Sequence, residues 1–164
     1  MNSLGFFREP LKLTEILIFF AAFFLISVNY YLIQQNSDIE IAKNINSALL
    51  VILWFIPIAT PFAEKLRNIY IFSIWGMLCI FCISVDKGLL SFLPMFSLLY
   101  STLCRLLFKI MFKYFPIQLW GSWFATNRYS KIEKRFSNKK DLNFSVIIFL
   151  SGLTIPLIIA YFIK

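Results

Sequence analysis

The chain has 164 residues and a formal charge of +8, and it is 60% hydrophobic, 19% aromatic and only 15% charged. Soluble domains carry nearer 25% charge, and the apolar residues here form runs of about 18 or more, so the composition argues against a water-soluble fold and for transmembrane helices. There is no histidine, and the three cysteines all lie inside apolar runs, so the commonest general base and metal ligand is missing and no disulfide framework is expected.

The first run, Leu13 to Ile33, reads LTEILIFFAAFFLISVNYYLI and ends with Asn29, Tyr30 and Tyr31 where an aromatic anchor belongs. It is too long for a signal peptide and no small-x-small cleavage site follows, so it is expected to persist as a helix. In the polar connection QQNSDIEIAK, Ser37 and Glu40 have capping-box spacing, which predicts a short interfacial turn. The second run, Ser47 to Ala63, carries Pro57 and Pro61 four apart on one helical face, where a kink or partial unwinding is expected. After EKLRN comes a third run, Ile69 to Val85, and then a turn at Asp86, Lys87 and Gly88. The fourth, Leu89 to Phe112, is punctuated near its end by Arg105 and Lys109, with Lys113 at the same spacing. The fifth is Phe144 to Ile163. Between the last two lies the only sizeable polar segment, 113–143, whose first half holds Trp120 and Trp123, rings suited to headgroup depth. The expected fold is one all-α polytopic bundle of five spans, with four as the fallback if Pro94 and Arg105 interrupt the fourth.

With the amino terminus in the cytoplasm and five crossings, Arg8, Lys12, Lys65, Arg67, Arg105, Lys109, Lys113, Arg128, Lys131, Lys134, Arg135, Lys139 and Lys140 fall inside. Only Lys43, Lys87 and Lys164 fall outside, so thirteen of sixteen cations share one side. That asymmetry predicts a bacterial inner-membrane protein with an internal amino terminus and an external carboxyl terminus. The segment RYSKIEKRFSNKKD is then a cytoplasmic loop, drawn to anionic lipid. Tyr129, Ile132 and Phe136 recur at steps of three and four, which predicts a short helix lying on the membrane.

Arg105, Lys109 and Lys113 make a basic stripe at a helix end, where snorkelling to the interface is expected rather than a gating role. Together with Arg128, Lys131, Lys134, Arg135, Lys139 and Lys140 they are the expected contacts for a partner or for lipid headgroups. Cys79 and Cys82 have a CxxC spacing but neither the polar setting nor further ligands, so they are expected to pack as small hydrophobes. Every acid lies near a span end or in a loop; Glu15 near Lys12, and Glu64 near Lys65 and Arg67, are expected to pair locally. Small residues at Ala59 and Ala63, Ser97 and Ser101, and Ser73 and Gly76 are expected at helix contacts, within one chain or between copies. Pro57, Pro61, Pro94 and Pro156 are read as kinks rather than as broken helices around a substrate.

No acid pair, histidine or Ser-Lys dyad is evident, so neither an enzyme nor a cofactor is expected. The favoured function is a homo-oligomeric scaffold or anchor that docks a cytoplasmic protein through its basic loop. Cations interleaved with Tyr129 and Phe136 could track a nucleic acid, but membrane lipid needs no added assumption. A chain so rich in Phe and Ile fits AT-rich bacterial mobile DNA, where phage defence, toxin immunity and plasmid exclusion reside. The alternatives are a pore or channel subunit built from several copies around scattered Ser and Thr residues, and a lipid or small-molecule transporter component.

Overall fold

Long stretches of Leu, Ile and Phe that are apolar all round satisfy their backbone only by coiling into helices. A computed structural model describes residues 6–34, 39–59, 61–85, 89–119 and 128–163. Five helices dominate it: α1 (Leu13–Gln34), α2 (Ile39–Ala59), α3 (Ile69–Val85), α4 (Leu93–Phe112) and α5 (Lys139–Ile163). Short 3₁₀ turns occupy Pro61–Arg67 and Leu89–Phe92, ahead of α3 and α4. The architecture is all-α apart from one tiny hairpin, β1 (Tyr129–Ser130) with β2 (Arg135–Phe136).

Three helices are long and apolar enough to cross a membrane, over Leu13–Leu32, Leu93–Phe112 and Lys139–Ile159. Two further apolar stretches, Asn44–Ala59 and Ile69–Val85, are shorter. Helix α2 continues through Pro57 but ends at Ala59, and the chain tightens into the 3₁₀ turn from Pro61. That is where proline, lacking an N–H, was expected to unwind it. Two boundaries move outward from their expected positions. Helix α2 begins at Ile39 rather than Ser47, and α5 at Lys139 rather than Phe144, because helix-compatible polar residues extend the coil beyond the apolar run. Ser37, the turn at 86–88, Trp120, Trp123 and Lys164 lie outside the described residues.

Helices α2 and α4 form the central pair, with α1 and α3 on one flank and α5 on the other. One core cluster joins Phe19 and Ile26 of α1, Leu50 and Leu53 of α2, Trp75 and Leu78 of α3 and Leu98 of α4. A second joins Ile58 and Ala59 of α2, Phe108 of α4 and Phe144 and Ile148 of α5. Cys79 and Cys82 are buried in the first cluster. At Gly152 the α5 backbone comes so close to α2 that an added Cβ would stand 3.0 Å from the Ile58 Cγ2. Outward-facing positions are apolar as well: Leu103, Ile110, Ile147, Leu157 and Phe162 are all exposed. Such a surface, on helices that are greasy all round, needs lipid or other protein against it.

The starts of α1, α3 and α5 meet the ends of α2 and α4. Phe7 bridges to Asn68 in parallel, its N–H donating to the Arg67 carbonyl (3.0 Å). The Lys65 ammonium reaches Glu15 Oε1 at 2.6 Å. This shared end carries the hairpin and the chain that leads into it.

Candidate functional site: a charged cap on the helix ends

Beyond α4 the chain FPIQL, residues 115–119, turns inward, and all five side chains are buried. An extended segment buried this way cannot satisfy its amides against itself, so each must find a partner elsewhere. The N–H of Ile117 donates to Asp141 Oδ1 (2.9 Å), that of Gln118 to Glu64 Oε1 (3.2 Å) and that of Leu119 to Ser145 Oγ (2.9 Å). Three side chains from two elements thus act as a substitute strand. The Gln118 amide continues inward, donating from Nε2 to the Ile58 carbonyl (2.6 Å) and accepting at Oε1 from Arg105 Nη2 (2.6 Å).

Arg105 therefore does not snorkel. Its side chain is buried, with Nη1 donating to the Ala63 carbonyl in the turn that follows α2. Glu64 sits across from it and also accepts from Arg128 Nη1 (2.8 Å) and Ser130 Oγ (2.8 Å). Arg128 Nη1 donates to the Gln118 carbonyl as well. Arg67 pairs with Glu133 and lies 3.8 Å over the Phe115 ring. The ion pairs are long-range, Lys65 with Glu15 and Arg128 with Glu64, while Glu15 keeps its expected neighbour as well, accepting the Lys12 N–H at Oε2 (3.1 Å).

A second node is organised by Asp141, which is fully buried. Arg135 donates to both of its oxygens, Nη1 to Oδ2 (2.7 Å) and Nη2 to Oδ1 (2.8 Å), and also to the Phe115 carbonyl (2.7 Å). Burial works against the Arg135 charge, but the Asp141 carboxylate more than offsets it and holds the guanidinium above its ordinary pKa. Asp141 also accepts from the Asn138 N–H (2.9 Å), while Asn138 Oδ1 accepts from the N–H groups of Lys140 and Asp141. This reciprocal cap starts α5 five residues early.

The segment expected to lie on the membrane as a helix is instead the β1–β2 hairpin. Tyr129 pairs with Phe136 and Ser130 with Arg135, and the two aromatic rings meet edge-to-face at 5.2 Å. Lys134 takes φ 53°, a left-handed turn geometry that breaks any helical continuation. The residues nominated as contacts divide by type. Arg105, Arg128 and Arg135 are internal ties, whereas Lys113, Lys131, Lys134, Lys139 and Lys140 are exposed; Lys109 is half-buried, 4.8 Å over Phe115. Of the small residues, Ala59, Ala63, Ser97 and Ser101 are buried, Ser73 is exposed, and Gly76 has open space around it.

Between the hairpin, the amino-terminal segment and the Pro61–Arg67 turn lies a cleft of about 680 Å³. Lys12, Lys65, Arg128 and Lys131 face Glu9, Glu15 and Glu64 across a floor that includes Phe62 and Ile71. Among the described residues no cluster of three or more His, Cys, Asp or Glu could hold a metal ion. Gln118, Asp141 and Ser145 escaped sequence reasoning. Their one visible signal was the apolar FPIQL stretch inside a segment otherwise read as surface loop. No protein-family model, curated protein or solved structure matches the chain.

Proposed function

We propose that this chain is a non-enzymatic, membrane-embedded anchor that crosses the bilayer five times and presents its cap to the cytoplasm, where exposed lysines dock an acidic protein partner. The observation that carries it is the division of the cap's cations. Buried arginines and acids make a rigid platform, and Lys131 and Lys134 stand out from it at the hairpin turn with no ion pair among the described residues. Lysine, a strongly hydrated point charge, suits a reversible contact, while arginine's fork suits fixed ties.

Packing supports the five crossings. If α1, α4 and α5 span, α2 and α3 run antiparallel between them from the same cap and must span too. Helix α3, with 17 residues, is about 26 Å long, a few ångströms under the hydrocarbon thickness, and local thinning absorbs that at modest cost. The orientation follows from thirteen cations on the cap side. Exposed apolar faces on every helix leave room for copies of the chain to associate, and homo-oligomers are part of this reading. A place in phage defence, toxin immunity or plasmid exclusion rests on composition alone.

The pore reading is weaker on one specific point. Of the seven candidate lining residues, Ser84, Ser97, Ser101, Thr102, Ser151 and Thr154 donate to carbonyls of their own helices, which leaves the exposed Ser73 apart from a set that offers little polar wall. The anchor reading is tested by affinity capture from native membranes. Lys131→Gln with Lys134→Gln should strip the co-purifying acidic partner while the chain's thermal stability stays unchanged. An unaltered set of captured proteins would refute docking by the hairpin.

A further inference from the structure

Helices α4 and α5 splay apart below the cap and leave a groove of about 360 Å³ lined by Leu107, Phe108 and Met111 on one side and Phe144, Ile147 and Ile148 on the other. Its polarity is confined to one end, where Lys140 and Asn143 stand. Lys140 is held 4.4 Å over the Phe112 ring and has no acidic partner among the described residues. From Lys140 to Ile148 the groove runs about 12 Å along α5, less than half of a hydrocarbon core about 30 Å thick. Its outer lip, formed by Leu107, Met111 and Ile147, is exposed.

We propose that this groove is a binding site for an anionic phospholipid, which lays one acyl chain between α4 and α5 and sets its phosphate on Lys140 and Asn143. The proposal rests on the membrane-embedded reading. Charge complementarity selects the headgroup, because among the described residues Lys140 is the one cation that lines the groove, it has no acidic partner, and it sits at the cap end. The acyl chain would cover the exposed Leu107, Met111 and Ile147 and lie against the buried Phe108 and Phe144, whose rings stack edge-to-face at 5.1 Å.

The test is native mass spectrometry of the full-length chain in detergent, titrated with phosphatidylglycerol and, separately, with phosphatidylcholine. Lys140→Gln should weaken the phosphatidylglycerol adduct roughly fivefold, the worth of one lysine at an anionic headgroup, and leave phosphatidylcholine unaffected. Ile147→Trp, which plugs the exposed lip, should abolish both adducts, and Met111→Trp gives a second plug should the first not fold. Lys139→Gln, exposed but off the groove, should change nothing. Equal losses from Lys139→Gln and Lys140→Gln would reduce the effect to diffuse surface charge and overturn the site. Adducts that survive both tryptophan plugs would overturn it as well, as would a plug that changes oligomer mass while sparing the lipid, since that assigns the groove to a second copy. A chain that requires detergent yet shows no adduct dependent on Lys140 overturns this site alone and leaves the membrane reading standing.

Discussion

Arg105, Lys109 and Lys113 follow one another at intervals of four, yet they finish in three environments: buried among carbonyls, half-covered against Phe115, and exposed just past the end of α4. Each step of four on a 3.6-residue helix advances about 40°, so the stripe winds roughly 80° away from the α2 contact before the helix stops. Regular spacing made the three look equivalent, and only the tertiary partner tells them apart. The Ala63 carbonyl and the Gln118 side chain are reached together by the two ends of one long forked donor, which arginine supplies. Glu64→Gln leaves Arg128 and Arg105 without their countercharge and should cost about 3–5 kcal/mol, as removing one partner of a buried pair does. Arg105→Lys should lower stability, because one ammonium must replace the two separate guanidinium nitrogens that reach Ala63 and Gln118. Thermal unfolding in detergent measures both; wild-type stability for either variant would show that the buried network is not what holds the cap.

The helices were legible as elements because apolar runs in lipid admit little else. The hairpin was not. Tyr129, Ile132 and Phe136 fit a helical period over eight residues, but Tyr129 and Phe136 are equally well placed as cross-strand partners around a four-residue turn, and a stretch that short cannot be decided by period. The early start of α5 depended on the Asn138 and Asp141 reciprocal cap, which lies outside the apolar run that marked the span. Small residues were legible as a class, but their contacts were not. Gly152 is where α5 meets α2, whereas Gly76 faces open space. Gly152→Ala should therefore destabilise by about 1–3 kcal/mol, because Ile58 is fully buried and branched at Cβ and cannot yield. Gly76→Ala should be neutral, or stabilising by up to about 1 kcal/mol through helix propensity. Equal responses in a thermal-shift comparison would place the close α2–α5 approach elsewhere.

The whole molecule is a bundle with one dressed end. Counting cations by side was enough to foresee that end, because charge asymmetry is a property of the loops taken together. What it could not foresee is that three of those charges are internal struts for a buried segment, since that depends on tertiary contacts: Arg105 with Ala63, 42 residues away, Arg128 with Glu64, 64 away, and Arg135 with Phe115, 20 away. The starts of α1, α3 and α5 lie together at the cap, so in the proposed five-span arrangement they share a side and topology is an all-or-none matter. Substituted-cysteine labelling of intact cells with a membrane-impermeant thiol reagent measures this directly, using Lys65→Cys and Lys134→Cys at the cap and Ser84→Cys and Tyr161→Cys, both exposed, toward the other end. Five crossings with an internal cap predict that the first two stay unlabelled until the cells are permeabilised and that the last two label at once. Labelling of Lys134→Cys in intact cells, or protection of Ser84→Cys together with it, would contradict the account.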